Sequence, residues 1–108
     1  MEPLSRLCAT VVSGTEAAAT GVAAAADVPE GHRADSEDAL AAVGRLIDVE
    51  HRADDIEREV MATVMRGDFD LKTMLSVIDL ARTLERATDR LASFGHLLRE
   101  HVLADLSN

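Results

Sequence analysis

Two short segments carry side chains with the spacing to do chemistry together. They are Glu50-His51-Arg52-Ala53-Asp54 and Glu85-Arg86-Ala87-Thr88-Asp89, each a Glu-x-x-x-Asp motif followed by a charged residue and then an aliphatic one (Asp55-Ile56; Arg90-Leu91). On a helix, residues four apart share a face one turn apart, so each motif stacks two carboxylates. Carboxylates held close repel one another and raise each other's pKa unless a proton or a cation intervenes. Oxygen donors of this kind suit hard cations such as Mg²⁺, Mn²⁺, Ca²⁺ or iron, with Zn²⁺ a further divalent candidate. The chemistry to expect is metal binding.

The surrounding sequence predicts the elements that position these acids. The 108 residues amount to one domain, 1–108. Proline occurs only at Pro3 and Pro29, and no stretch alternates polar with β-branched or aromatic residues, so no strand is predicted. Three helices are predicted, at about 4–26, 35–66 and 71–105. The first presents Leu4, Cys8, Val11, Thr15, Ala18, Val22 and Ala25 as its apolar face, with Gly14 and Gly21 as weak points. Asp27-Val28-Pro29-Glu30-Gly31 ends it, and Asp35 or Ser36 caps the second. Gly67-Asp68-Phe69-Asp70 is a tight turn in which Asp70 caps the third helix, and so short a turn makes the two long helices antiparallel neighbours. The fold class is therefore all-α, an up-down three-helix bundle. With so much alanine in its first helix the core is thin, and homo-oligomerisation is expected to complete it.

Turning each residue by 100° places the acids. On helix 2, Leu46, Val49, Ala53, Ile56, Val60 and Val64 make one apolar stripe, with Val43, Ile47, Met61 and Met65 beside it. Asp48, Asp55 and Glu59 fall outside this arc, but Glu50, Asp54 and Glu57 fall inside. On helix 3, Val77, Leu80, Leu84, Leu91, Leu98 and Val102 form the main stripe, widened by Met74, Ile78, Ala81 and Ala92. Glu85 lies on that widened side and Asp89 at its edge. Asp54 and Glu50 lie 14 and 18 residues before Asp68, and Glu85 and Asp89 lie 17 and 21 after it. At about 1.5 Å per residue, all four share about two turns of one helix-helix seam. Burying an ionised acid without a partner costs several kcal/mol, comparable to the stability of a small domain, so the seam calls for a counterion. The bland alternative is a pair of solvated ladders, Asp54 with Arg58 and Asp89 with Arg86, worth a few tenths of a kcal/mol. The duplicated motif, the matched height and the position inside the arc favour the metal.

Other residues are given ordinary roles. Cys8 is read as a small core residue, and Met61, Met65 and Met74 as packing near the turn. His51 is solvated or an outer neighbour of the acids, and His96 lies roughly 10 Å beyond Asp89 along the axis. His32 and His101 receive no role, and Glu16 is at most a further ligand. No nucleophile motif, phosphate-binding glycine loop or Cys/His zinc spacing is present. Asp48, the only acid three residues ahead of a histidine in a Glu-x-x-His-like arrangement, points outward, which disfavours di-iron oxidase chemistry. A net charge of −9, with Phe69 and Phe94 the only aromatics, argues against nucleic-acid binding. The residues 7–28 are small and apolar, but Glu16 at the centre argues against membrane insertion. One cysteine and no basic-then-apolar leader point to the cytoplasm.

Residues 40–95 resemble the PhoU family, especially its relatives that accompany low-affinity phosphate transporters. The resemblance rests on Ile47-Asp48-Val49-Glu50-His51-Arg52-Ala53-Asp54-Asp55-Ile56, on the turn Gly67-Asp68-Phe69-Asp70, and on Leu84-Glu85-Arg86-Ala87-Thr88-Asp89-Arg90-Leu91. It implies a metal-binding, non-enzymatic regulator of phosphate uptake that acts by protein contact, with a phosphate transporter or regulatory protein as partner. It also implies Glu50, Asp54, Glu85 and Asp89 as metal ligands. Family members hold two three-helix units where this chain has one, which implies a homodimer. The loop before helix 3 lacks the Pro and the Arg-Glu-Asp run of the transporter relatives. The rival expectations are a metal-free interaction module, whose inward acids receive arginines of a partner, and a hydrolase or oxidase built on the carboxylates.

Overall fold

The computed structural model describes residues 1–28 and 33–107. Three helices follow in order: α1 (Glu2–Asp27), α2 (Arg33–Arg66) and α3 (Leu71–Ser107). Among the described residues there is no strand. The helices pack as an up-down-up bundle measuring 58 × 17 × 16 Å, a rod about three times as long as it is wide. Helix α2 starts at Arg33, ahead of Asp35 and Ser36, so neither caps it: Asp35 is an acid of the first turn and Ser36 is buried inside the helix. The expected break at Pro29-Glu30-Gly31, and His32 beside it, lie outside the described residues.

The α2–α3 turn is built as its residues dictate. The backbone N–H of Gly67 donates to the Thr63 carbonyl at 2.9 Å and closes α2. A Cβ at Gly67 would run into the ring of Phe69, which folds back over it, and would stand 3.0 Å from the Thr63 carbonyl oxygen, so a larger residue there would have to displace the exposed ring. Asp70 then caps α3: its Oδ1 accepts the N–H of Thr73 at 2.9 Å, and its carbonyl accepts that of Met74 at 3.0 Å. The bond from Thr73 holds the Asp70 carboxyl below its ordinary pKa.

The first helix departs from expectation. Its buried face is Leu7, Thr10, Gly14, Ala17, Gly21, Ala24 and Ala25, rotated from the expected one: of that face Ala25 is buried, Leu4, Val11 and Ala18 are half-buried, and Cys8, Thr15 and Val22 are exposed. Close approach is the physical reason. A Cβ at Gly14 would sit 2.8 Å from Leu91 Cδ1 and 3.1 Å from Val49 Cγ1. One at Gly21 would sit 2.8 Å from Leu98 Cδ2 and 3.1 Å from the Ala42 Cβ. The two glycines are the groove into which the large side chains of α2 and α3 fit, and that gain outweighs their poor helix propensity. Cys8 is therefore a surface residue. By length and composition α1 is also apolar enough to cross a membrane, with a third of its most apolar window buried in the bundle.

Helices α2 and α3 follow expectation more closely. Leu46, Val49, Ala53, Val60 and Val64 are buried, as are Ala81, Leu98 and Val102. Met65 and Leu80 are not core residues: they are 75% and 45% exposed. The core divides into two blocks. One gathers Ala24, Ala25, Val28, Ala39, Val43, Leu98 and Val102. The other gathers Leu7, Ala53, Val60, Val64 and Ala81 near the turn, with Leu4, Ile56, Met61, Met74, Val77, Ile78 and Leu84 packed around it. The two acid motifs stand where the blocks meet, at the waist of the rod, and Ala53 within the first motif belongs to the block near the turn.

Candidate metal centre

Glu50 and Asp54 from α2 meet Glu85 and Asp89 from α3. Each offers a carboxylate oxygen, and the four oxygens all lie within 4.8 Å of one another. Glu50, Asp54 and Glu85 are half-buried and Asp89 is exposed. Helical spacing explains the arrangement: the i,i+4 pairs rise along two antiparallel helices at matched height. The apolar stripes of both helices hold the seam closed beside them, with Val49 and Ala53 fully inside.

The sequence reading missed one fully buried polar residue on the same turn as these acids. Thr88 is fully buried between Glu85 and Asp89, and its hydroxyl donates to the Glu85 carbonyl at 2.7 Å. The signal was available as a threonine three residues after a glutamate on the inward face, where a hydroxyl can be satisfied by the backbone of the preceding turn.

The electrostatics are those of crowded like charges. Glu85 is pushed up to about 7, first by loss of solvent, then by hydrogen bonding to Asp54, by the charge of Asp89 and by hydrogen bonding to it, and by the charge of Glu57. Glu50 is raised as well, first by loss of solvent, then by the charge of Asp54 and hydrogen bonding to it, against an opposing pull from His51 and with a further push from the charge of Asp89. Among the described residues no Lys or Arg lies within ion-pair distance of the four acids; the one basic neighbour is His51, whose Nε2 is 3.6 Å from Glu50 Oε2. The ladders weighed as the bland alternative are not made. Arg58 turns to Asp55 at 2.7 Å, and Arg86 donates to the Arg82 carbonyl at 3.3 Å. Glu57 stands apart from the four, half-buried in an open cleft with Arg82, Glu85 and Arg86. Glu16 and His96 are exposed and lie outside the group.

A donor set of four carboxylates can hold a metal ion. With bonds of about 2.1 Å, an octahedral Mg²⁺ or Mn²⁺ spaces its ligand oxygens roughly 3 Å apart in adjacent positions and 4.2 Å in opposite ones; Ca²⁺ at about 2.4 Å allows roughly 4.8 Å. The spread of the four oxygens matches that range to within a side-chain adjustment. All donors are hard oxygens and sulfur is absent, which favours Mg²⁺, Mn²⁺, Ca²⁺ or iron over soft metals. Comparisons with protein-family models, curated proteins and solved structures find no match to this chain.

Proposed function

We propose that this chain is a PhoU-like, cation-binding regulatory protein of phosphate uptake or homeostasis. In this reading it is cytoplasmic, non-catalytic and self-associating, and acts by contact with a transporter or regulatory partner. Glu50, Asp54, Glu85 and Asp89 are its ligands to a divalent or trivalent ion. The observation that supports the reading is the convergence of four carboxylates from two helices with no lysine or arginine within ion-pair distance among the described residues. The link to phosphate rests on the resemblance of the two acid motifs and the intervening turn.

Calorimetric titration of chelator-treated protein with Mn²⁺, Mg²⁺, Ca²⁺ and Fe²⁺ tests the metal. Binding with a stoichiometry of one or two ions per chain is expected, weakened at least tenfold by Glu50→Gln combined with Glu85→Gln. The same variant should fail to restore normal phosphate uptake to cells lacking the chain. Absence of binding to all four ions at millimolar concentration refutes the metal assignment. It leaves the rival module, in which the same acids receive arginines of a partner and melting is indifferent to chelator.

A further inference from the structure

Beside the acid seam, α2 and α3 form a cleft that cation binding alone does not use. Glu57, Arg82, Glu85 and Arg86 line it, and its volume is about 480 Å³. Every lining side chain is charged, two of each sign, so the cleft offers nothing to an apolar occupant. Glu85 belongs to both features: it lines the cleft and is one of the four acids of the seam. The two arginines are exposed and stand four residues apart on α3, one turn and about 6 Å along the axis. Among the described residues neither closes an ion pair; the arginines that do are Arg6 and Arg58. Arg86 spends only Nε, on the Arg82 carbonyl at 3.3 Å, and its terminal nitrogens stay free. Opposite charges thus share one cleft without meeting.

We infer that this cleft is an oxyanion site, in which Arg82 and Arg86 hold a phosphate group whose remaining oxygens reach a cation at the seam. The inference rests on the cation reading above and names the ligand that joins the ion there. The four acids and Glu57 set five negative charges against two guanidiniums, a formal −3, so the cleft without a cation repels an anion. One divalent ion brings the sum to −1 and two bring it to +1, so cation and phosphate must favour each other's binding. Four carboxylate oxygens leave two positions open on an octahedral Mg²⁺ or Mn²⁺, and phosphate oxygens suit both. Guanidinium is the matching donor on the other side, since its planar fork takes two phosphate oxygens at once. A carboxylate has two oxygens, too few to reach both arginines and the ion; a phosphate has three or four. No aromatic side chain lines the cleft, so it has no platform for a nucleotide base. The ligand class is inorganic phosphate or a small phosphate monoester.

Calorimetric titration of the protein with inorganic phosphate and with glycerol phosphate, in saturating Mg²⁺ or Mn²⁺ and in chelator, is the test. Binding is expected with the cation and at least tenfold weaker without it. Whichever titrant binds tighter identifies free phosphate or a monoester as the occupant. Arg82→Gln with Arg86→Gln should weaken phosphate at least tenfold and leave the cation bound as tightly as before; both sites are exposed, so helicity should be retained. Arg45→Gln with Arg99→Gln removes the same charge from exposed sites elsewhere and should change phosphate affinity less than threefold. Phosphorus-31 relaxation is the second measurement. Mn²⁺ at the seam should broaden the phosphate resonance at least tenfold more with the native protein than with the Arg82/Arg86 variant. Protein that takes up a cation but no phosphate overturns the inference alone. So does phosphate binding that ignores the cation, ignores Arg82 and Arg86, or falls as far in the control pair. Protein that takes up no cation overturns both this inference and the cation reading.

Discussion

Glu85 is the carboxyl whose proton affinity moves furthest, and it has a measurable signature. Its folded-state pKa of about 7 stands above the ordinary 4.5, so between those values the folded protein binds more protons than the unfolded one. The stability this contributes is full below about pH 4.5 and is lost as pH rises through 7. Glu50 is displaced in the same direction. Metal-free protein should therefore melt lower at pH 8 than at pH 5. The difference is expected to be roughly 1–2 kcal/mol once partial solvent screening is allowed for, on the order of 5–10 °C in a chain this size. Glu85→Gln should remove most of that slope; thermal melts at several pH values would show an unchanged slope if the crowded-acid account is wrong. A cation at the seam displaces the proton, so binding should release about half a proton from Glu85 near pH 7 and close to one near pH 6, and calorimetry in buffers of different ionisation enthalpy reads this directly.

At the scale of the helix, two glycines in similar sequence settings should respond in opposite senses. Gly21 faces Leu98 and the Ala42 Cβ, which has no rotamer to yield, so Gly21→Val is expected to cost about 1–3 kcal/mol by overpacking. Gly44 has nothing within 4 Å of where a Cβ would stand, so Gly44→Ala should stabilise by up to about 1 kcal/mol through helix propensity. Urea denaturation of both variants checks the pair, and a neutral Gly21→Val would count against the close contact. The contrast explains what was legible in the sequence. In α2 and α3 the large aliphatic residues sit on one side, so the wheel identified the buried stripe and the acids within it. In α1 hydropathy is similar on two sides, and what separates them is size: Leu91 and Leu98 need somewhere to go, and only Gly14 and Gly21 make room. A wheel that weighs transfer free energy cannot register a groove, so the apolar face came out rotated and Cys8 was placed inside. Thr88 escaped notice because its partner is a backbone carbonyl on its own helix.

Over the whole molecule, the two apolar blocks and the acids between them make a rod with different materials along its length. Burial in the blocks is carried by Leu, Val and Ala, while the α2–α3 flank of the waist is lined by carboxylates. Without a cation the crowded carboxylates work against the burial of Leu46, Val49, Ala53 and Thr88 beside them, and the amides here should open at lower free energy than those of either block. Hydrogen exchange on chelator-treated protein should find faster exchange at positions 50–54 and 85–89 than at 60–64 and 98–102, with saturating Mn²⁺ slowing the first pair at least tenfold. Uniform exchange that ignores the ion would show that the seam is held without it.

The placement of the waist has a mechanical consequence. The acids stand well inside a 58 Å lever instead of at its tip. An ion seated there would act as a rivet between the α2 and α3 spars, setting how stiffly one end follows the other. Ion occupancy would then be expressed as flexural rigidity, a quantity that whatever grips either end can sense without touching the ion.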